Sequence, residues 1–411
     1  MSGGGLPRPP VPYGPAPTAS PIMTRLNPDS EFDAARLAAI AAAIACVAVV
    51  GIGLSLSIPL LSLEMERMGL SNTWIGVNTA IAGVASIVVL PFVPRVAARL
   101  GVMPLLLGAI AVGALALLGF RAVYDFAWWF PLRFVFSAAL GVLFVLSEFW
   151  INQAAPPTRR GLVMGVYATV LALGFAIGPG LLRFLGTTGW APYLAGAALF
   201  CAGALPLVMA RGLSPEIPHK GGRGFVGYLR VAPSATLAAL VYGAVETGGF
   251  AILPIYGLRL GLSAEQAAGL VSLAALGNVL FQIPVGILAD KVDKRRVLLA
   301  AAFLGAVGAA ALPLGAEDPW LLAAILFAWG GIAGTLYTVG LAHLGARFDG
   351  AALAGANAAF LVLYNIGLVL GPPLVGGGMD LASPHGFAWS LTLLFIAYLA
   401  VVGGRVIRAA P

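Results

Sequence analysis

Long apolar runs, separated by short polar stretches, make up most of the sequence after residue 36. Each run is about 20 residues or longer, which is the length that an α-helix needs to cross the hydrocarbon core of a bilayer. Strands of a membrane β-barrel would be shorter and would alternate between apolar and polar residues. The pattern therefore predicts an all-α polytopic membrane protein with twelve transmembrane helices, near residues 37–62, 73–93, 103–121, 127–152, 161–184, 190–210, 234–257, 265–289, 296–314, 319–345, 351–376 and 386–406.

The polar stretches divide these helices into two sets of six. Residues 1–36 are rich in proline and glycine and predict a disordered cytoplasmic tail that contributes to no core. Residues 37–210 form the first six-helix bundle and residues 234–411 the second. Between them lies a cytoplasmic linker, residues 211–233, whose Arg and Lys residues alternate with aromatic ones and suit an anionic membrane surface.

The two bundles share a pattern of small residues, which predicts a parallel 6+6 repeat. The fifth segment contains Gly174 and Gly178-Pro179, and the eleventh contains Gly367 and Gly371-Pro372 at the same constant offset. Small residues at this spacing let helix backbones approach closely, and we assign a helix-packing role to them and to Gly165. A parallel duplication of six helices is typical of transporters.

Composition narrows the class of protein further. Of the 411 residues, 60% are hydrophobic and 9% are charged, whereas a soluble domain carries roughly 25% charged residues. These values exclude soluble enzymes and nucleic-acid-binding proteins. The two cysteines lie in separate apolar segments and build no metal site, and no metalloprotease, P-loop or nucleophile-elbow motif is found. We therefore expect no enzyme activity, no cofactor and no metal, and an ion gradient as the only available source of energy.

The basic residues predict how the chain is oriented. With these segments, all but five of the 23 Lys and Arg residues fall on the side that holds both termini. The five exceptions are Arg67, Arg121, Arg133, Arg183 and Arg259. Because basic loops stay in the cytoplasm, both termini are expected to be cytoplasmic, in a multi-pass protein of the cytoplasmic (inner) membrane.

Local motifs then point to a family. The stretch from Gly286-Ile-Leu-Ala-Asp290 to Arg295-Arg296 resembles the hallmark loop of the major facilitator superfamily, except that Asp293 stands where the family usually has Gly. The counterpart in the first half, residues 91–101, is degraded, and Arg95 replaces its acidic residue. The resemblance covers about residues 37–408. The stretches Ser147-Glu148-Phe-Trp150-Ile-Asn152 and Gly243-Ala-Val-Glu246, the latter followed by Leu253-Pro254-Ile-Tyr256-Gly257, look like a poorly characterised bacterial branch of the superfamily.

Two further motifs of that family match in part. Arg133 is similar to the membrane arginine of the fourth helix, although Phe136-Ser137 replaces the Gln-Gly that should follow. The run from Gly165 to Gly178-Pro179 is similar to a fifth-helix motif of proton-driven exporters.

The resemblance implies a monomeric secondary transporter that moves a small organic solute by alternating access. It further implies proton coupling, with export favoured. The alternatives are a sugar or metabolite importer and, because the first hallmark loop is degraded, a receptor or scaffold without transport. An intramembrane enzyme is disfavoured by the missing motifs.

Glu246 is the first candidate for chemistry, because it lies near the middle of the seventh segment with Tyr242 one turn earlier. An ionisable residue inside a membrane costs about 2.5–3.5 kcal/mol, so its presence needs a reason. We assign it to proton coupling or substrate contact. The alternative is a permanently protonated Glu that hydrogen-bonds a neighbouring helix.

Other polar residues could line the same cavity. Glu148 lies near the inner end of the fourth segment, either as a coupling residue or as an anchor close to Arg159 and Arg160. Arg133 could bind an anionic group, pair with a carboxylate or snorkel to the outer surface. Interhelical hydrogen bonding is the alternative for the uncharged candidates, which are Asn278, Gln282, Asn357, Tyr364 and Asn365.

The hallmark loops suggest an inner gate. By the resemblance, Asp290 should approach the fifth helix, whose start holds Arg159 and Arg160. The degraded loop should approach the eleventh helix, where Arg95 or Arg99 facing Asp349 would restore the attraction with exchanged signs. The alternative for Asp349 is that it caps its own helix.

Overall fold

The computed structural model describes residues 32–215, 233–348 and 350–408. In these ranges the chain is helical, with short 3-10 turns and no strand. Most of the tail, most of the linker and Asp349 lie outside the described residues, so the expectations for them stay predictions.

Twelve helices are long and apolar enough to cross a membrane, which confirms the predicted fold class. Each closes its backbone hydrogen bonds internally, as a segment in lipid must. We number them α1 (Ala34–Arg67), α2 (Asn72–Leu100), α3 (Val102–Ala122), α4 (Phe126–Ala154), α5 (Arg160–Leu185), α6 (Ala191–Met209), α7 (Pro233–Arg259), α8 (Ala264–Lys291), α9 (Lys294–Ala311), α10 (Pro319–Gly345), α11 (Gly350–Leu381) and α12 (Gly386–Arg408).

Several helices extend beyond the apolar runs that predicted them. The first was expected over residues 37–62, but α1 begins at Ala34 and ends at Arg67. Asp33 caps its start by accepting a hydrogen bond from the Arg36 backbone N–H. At the other end a turn containing Glu64 and Arg67 continues the helix, because these two side chains pair with each other at 2.6 Å.

The two hallmark stretches are mostly helical and not loops, which corrects the expectation. Leu90–Phe92 forms a 3-10 turn, and the chain then continues as a helix over Val93–Leu100. Proline fits the first turn of a helix, where its missing N–H needs no partner, so Pro91 and Pro94 do not end α2.

In the second half, α8 runs to Lys291, and only Val292 and Asp293 connect it to α9. The Asp293 carboxylate accepts hydrogen bonds from the backbone N–H groups of Arg295 and Arg296. It is therefore the N-cap of α9, which gives a physical reason for the departure from glycine at this position.

The repeated glycines bring equivalent helices together in the two halves. A Cβ atom on Gly174 would lie 2.9 Å from Gly51 Cα, so α5 packs directly on α1. A Cβ atom on Gly371 would lie 2.1 Å from the Ala244 carbonyl oxygen, so α11 packs directly on α7. Gly178 and Gly367 are equally crowded. Gly165 differs from the expectation, because a Cβ atom there would meet nothing within 4 Å.

The two halves touch along α2 and α11 and along α5 and α8. Pro372 of α11 lies against Gly76, since a Cβ atom on Gly76 would be 2.2 Å from the Pro372 carbonyl oxygen. We define the outer end of the molecule as the end that holds residues 68–71 and 260–263, and the inner end as the opposite one. By the charge bias, the inner end is expected to face the cytoplasm.

We predict that Gly178→Ala destabilises the protein while Gly180→Ala does not. A Cβ atom at Gly178 would lie 2.6 Å from the Leu56 backbone nitrogen, whereas nothing lies within 4 Å of one at Gly180. Overpacking of this kind costs about 1–3 kcal/mol, and an unhindered Gly-to-Ala change in a helix costs nothing. Thermal unfolding of the two variants in the same detergent measures the difference. Equal melting temperatures would contradict the packing described here.

Candidate functional site

Glu246 lies at the middle of α7, in a network of hydrogen bonds with two tyrosines. The Tyr242 hydroxyl, one turn earlier on the same helix, donates to Glu246 Oε1 at 2.7 Å. The Tyr364 hydroxyl of α11 donates to Oε2 at 2.7 Å. Each carboxylate oxygen therefore has one donor, and both donors are uncharged.

Two amides extend this network along α8. The Asn278 side-chain amide donates to the Tyr242 hydroxyl at 3.0 Å. Gln282, one turn farther toward the inner end, donates to Asn278 Oδ1 at 3.4 Å. Four predicted site residues thus join Glu246 in one connected group, which couples α7, α8 and α11.

Tyr337 of α10 completes the group, although the sequence analysis missed it. Its ring centroid lies 5.5 Å from that of Tyr242 and 5.6 Å from that of Tyr364. The Tyr242 and Tyr364 rings stack on each other at 6.0 Å. A tyrosine on an otherwise apolar helix was the available signal, but its depth in the bundle could not be told from sequence.

A small cavity adjoins Glu246. Its volume is about 10 Å³, and it is lined by Glu246, Phe250, Asn278 and Trp329 among others. That is about the volume one water molecule needs. An organic solute does not fit in this cavity.

The inner side of the group is open. Gln282 belongs to the network and is nevertheless exposed, and so is Glu148 of α4. Glu148 and Gln282 are thus both accessible toward the inner end of the molecule.

Residues near Glu148 form a second polar group on α4 and α5. The Ser147 and Tyr167 hydroxyls lie 3.0 Å apart and are buried. Asn152 donates to the Glu148 backbone carbonyl at 2.8 Å, and Arg160 donates to the Asn152 carbonyl at 3.4 Å. The Arg160 side chain thus contacts the backbone at the inner end of α4, the helix that holds Glu148.

Arg133 lies buried inside the first bundle, which is inconsistent with snorkelling. Arg133 as a whole is only 2% exposed. The guanidinium Nε donates to Asn78 Oδ1 at 3.1 Å, and the guanidinium carbon lies 5.8 Å from the Phe120 ring centroid. Nη2 is buried without a hydrogen-bond partner in the described part of the chain.

The remaining candidates are not brought into the Glu246 group. Asn365 donates to the Leu361 carbonyl of its own helix at 2.8 Å. Asn357 Oδ1 is buried without a hydrogen-bond partner among the described residues. Both side chains are on α11, but neither has a hydrogen bond to Glu246 among the described residues.

The residues expected at the inner gate are exposed where they are described, and Asp349 lies outside the described ranges. Asp290 is exposed at the inner end of α8, and Arg159 is exposed at the start of α5. The Arg95 guanidinium lies over the Phe92 ring at 5.9 Å. Asp349 is not described, so its pairing with Arg95 or Arg99 stays a prediction.

No group of three or more His, Cys, Asp or Glu residues lies together in residues 32–215, 233–348 and 350–408.

In the described part of the chain, side-chain hydrogen bonds and ion pairs join the two halves at the outer end, and the sequence analysis did not predict these contacts. The residues that make them are Glu66, Arg259, Asn72, Thr73 and Asp380. The signal that could have found Arg259 is a second repeat, in which Arg67-Met-Gly69-Leu-Ser71 matches Arg259-Leu-Gly261-Leu-Ser263.

Comparison with protein families gives matches over most of the chain. The model of the Major Facilitator Superfamily matches residues 43–278 and 235–409. The uncharacterized MFS-type transporter YfkF of Bacillus subtilis (strain 168) is 25% identical over 358 residues, which is 85% of this chain and 90% of that protein. An uncharacterized MFS-type transporter of Yersinia enterocolitica is 28% identical over 297 residues, or 70% of this chain and 74% of that protein.

Solved structures show the same fold at low sequence identity. The nucleoside transporter NupG is 15% identical, with a TM-score of 0.69 over 92% of this chain and 99% of that one. A bacterial homolog of the human lysosomal transporter Spinster, solved in an inward-facing and occupied conformation, is 14% identical. Its TM-score is 0.71, over 91% of this chain and 96% of that one.

We predict that Asn78→Ala destabilises the fold and that Asn365→Ala does not. Asn78 accepts a hydrogen bond from the buried Arg133, and no second acceptor for Arg133 is found among the described residues, whereas Asn365 bonds to its own helix. Losing a hydrogen bond to a charged group costs about 1.5–3 kcal/mol. Unfolding in detergent measures both changes. If Asn78→Ala unfolds at the same temperature as Asn365→Ala, Arg133 does not depend on Asn78.

Proposed function

The chain belongs to the major facilitator superfamily, and on this premise we propose that it is a proton-coupled secondary transporter for a small organic solute. We propose that it works by alternating access as a monomer in the cytoplasmic membrane, with both termini in the cytoplasm. The observation that carries the proposal is the Glu246 carboxylate, which accepts hydrogen bonds from two tyrosine hydroxyls at the middle of an apolar helix.

The uncharged partners of Glu246 support a role in proton transfer. A carboxylate in the middle of a membrane is expensive unless it is neutralised. Arg or Lys would neutralise it permanently, but the hydrogen-bond partners that the structure gives to Glu246 are tyrosines. A proton, which can arrive and leave, is the neutralising group that fits such a site.

A proton on Glu246 would also rearrange the network around it. Tyr242 donates to Glu246 and accepts from Asn278 at the same time. If Oε1 carried a proton, the Tyr242 hydroxyl would have to accept from Glu246 or turn away. Proton occupancy would therefore change the contacts among α7, α8 and α11, which is the kind of local change that biases a two-state protein.

The solute is proposed to bind in the open space between Glu148 and the tyrosine group. This space is bordered by carboxylates, amides and aromatic rings, which suit a small organic molecule with both polar and apolar parts. Glu148, Gln282 and Tyr337 are exposed or half-buried there. Arg133 lies outside the Glu246 network, so a role for it in binding an anionic group would need a conformation in which Nη2 becomes accessible.

Export is proposed over import because the α5 run from Gly165 to Gly178-Pro179 is similar to that of proton-driven exporters. We also propose that the inner gate closes when Asp290 meets the start of α5 at Arg159 and Arg160. A second contact of the inner gate would form between Arg95 or Arg99, near the end of α2, and Asp349, which precedes α11. The exposure of Asp290 in the structure is compatible with this proposal.

We predict that Glu246→Gln folds but loses proton-driven transport. Glutamine keeps the shape of the side chain and cannot release a proton. A thermal-shift screen of small metabolites on the purified protein identifies a binding solute, since ligands that bind the folded state raise its melting temperature. Proteoliposomes that contain a pH-sensitive dye then report proton movement when this solute is added. Glu246→Gln should reduce that signal to the level of empty vesicles.

Glu265→Gln is the matched control, because Glu265 lies in the first turn of α8 at the outer end and away from the network. It should transport at the wild-type rate. Protons that move opposite to the solute support export, and protons that move with it would indicate import. A wild-type protein that binds the solute without any flux would indicate a receptor. Normal pH dependence in Glu246→Gln would overturn the role of Glu246.

We predict that exchanging charges at the first inner gate restores a defect that either change alone produces. Arg95→Asp and Asp349→Arg should each favour the inward-open state, because each creates repulsion in the closed inner gate. The exposed pair is worth about 0–1 kcal/mol, enough to change the ratio of two states several-fold. The double variant should recover the wild-type transport rate. The same cycle is repeated with Arg99→Asp in place of Arg95→Asp. If the double variant shows the sum of the two single defects in both cycles, this gate is contradicted.

A further inference from the structure

The start of α2 is capped by a residue from the other half of the protein. Asp380, at the outer end of α11, accepts four hydrogen bonds from two residues. Its Oδ1 accepts from the backbone and side-chain nitrogens of Asn72 at 2.9 and 2.7 Å. Its Oδ2 accepts from the backbone nitrogen and hydroxyl of Thr73 at 2.8 and 2.6 Å. Backbone N–H groups in the first turn of a helix favour a carboxylate at this position.

A second polar contact crosses between the halves at the same end. Arg259, the last residue of α7, pairs with Glu66 of α1 at 2.5 Å. The Glu66 side chain is 16% exposed, so this pair is partly shielded from water. Asp380 and Arg259 both belong to the second half, and both reach residues of the first half.

The repeat makes this arrangement asymmetric. Arg67 occupies the position of Arg259 in the first half, but it binds within its own half, to Glu64 and to the Thr187 carbonyl, each at 2.6 Å. The corresponding starts of α2 and α8 each have a serine cap of their own, Ser71 and Ser263, but the start of α2 is bound by Asp380 in addition. Arg67 and the start of α8 thus bond within their own halves, whereas Asp380 and Arg259 of the second half bond to residues of the first half across the interface.

We propose that Asp380 and Arg259 are gating residues that hold the outer side closed. Together with Glu66, Asn72 and Thr73 they form what we call the outer latch. The outward-open state needs α2 and α11 to separate at this end, which breaks all of these contacts at once. The latch lies at the outer aqueous surface, so water replaces Asp380 on the α2 amides and the opening is reversible.

Close backbone packing beside the latch makes the closed state sensitive to size. A Cβ atom on Gly376 would lie 2.2 Å from the Asn72 carbonyl oxygen. A larger residue there would keep the two helices apart, even with Asp380 intact. Gly376→Val is therefore a second and independent way to open the latch.

The inference rests on alternating access but not on proton transfer by Glu246, and the test requires no substrate. Spin labels attached to Val123→Cys and Leu314→Cys report the outer distance between the halves by double electron–electron resonance. Labels at Leu100→Cys and Val292→Cys report the inner distance. All four positions are exposed and away from the latch, and the native Cys46 and Cys201 are first replaced by Ala and Ser.

Asp380→Ala and Arg259→Gln should lengthen the outer distance and shorten the inner one. Asp380→Ala is expected to raise the ratio of outward-open to inward-open molecules about tenfold, because it removes all four hydrogen bonds to a charged group. Asp380→Asn keeps an acceptor for only one of the two partner residues and should lie between Asp380→Ala and the wild type. Gly376→Val should shift the distances in the same direction.

The matched controls are Asp318→Ala and Arg67→Gln. Asp318 also caps a helix at the outer end, but that helix is its own, through Trp320 and Leu321. Arg67 is the repeat counterpart of Arg259 and pairs within its own half. Both controls should leave the distance distributions at those of the wild type. Distances that do not change in Asp380→Ala, or that change equally in Asp318→Ala, would overturn the outer latch. If the label distances change as expected for the outer latch but the wild-type protein moves no protons in proteoliposomes, only the proposed role of Glu246 is overturned.

Discussion

A carboxyl group in the middle of a membrane must be neutralised or paired, and the arrangement around Glu246 follows from that constraint. Its partners are two tyrosine hydroxyls, so the charge is solvated by dipoles and not cancelled by a fixed cation. Three helices supply these dipoles and the amides behind them. A change in the charge of Glu246 therefore acts on the contacts of several helices at once, which is what coupling an ion to a change of shape requires.

The rest of the fold makes that change possible. Glycines bring α5 onto α1 and α11 onto α7 at backbone distance, so each half is tightly packed within itself. The polar contacts between the halves that the structure describes lie at the outer end, whereas the inner end leaves Glu148 and Gln282 exposed. Rigid halves with few polar links at one end suit a rocking motion around a central site. The glycine contacts between helices are therefore equivalent in the two halves, whereas the residues of the outer latch are not.

The fold class and the repeat could be predicted from sequence because apolar length and glycine spacing report directly on membrane crossing and helix contact. The same holds for Glu246, Tyr242 and Tyr364, because polar residues are rare at such depth. The partners across helices could not be predicted in this way. Pairing Arg133 with Asn78, or Asp380 with the start of α2, depends on how helices far apart in sequence are arranged. The ends of α2 and α8 were also misjudged, because charged and proline-containing turns extend the helices beyond their apolar runs.

The central claim is that the site at Glu246 opens alternately to the two sides of the membrane, and the accessibility of a single cysteine beside it tests this most directly. Asn278→Cys, in a chain without Cys46 and Cys201, puts a thiol at the Glu246 cavity. A membrane-impermeant thiol reagent is then added from either side of oriented vesicles, with and without the Asp380→Ala change. The account predicts labelling from the inner side in the parent protein and added labelling from the outer side when Asp380 is replaced. Labelling from one side only under both conditions would contradict alternating access to this site.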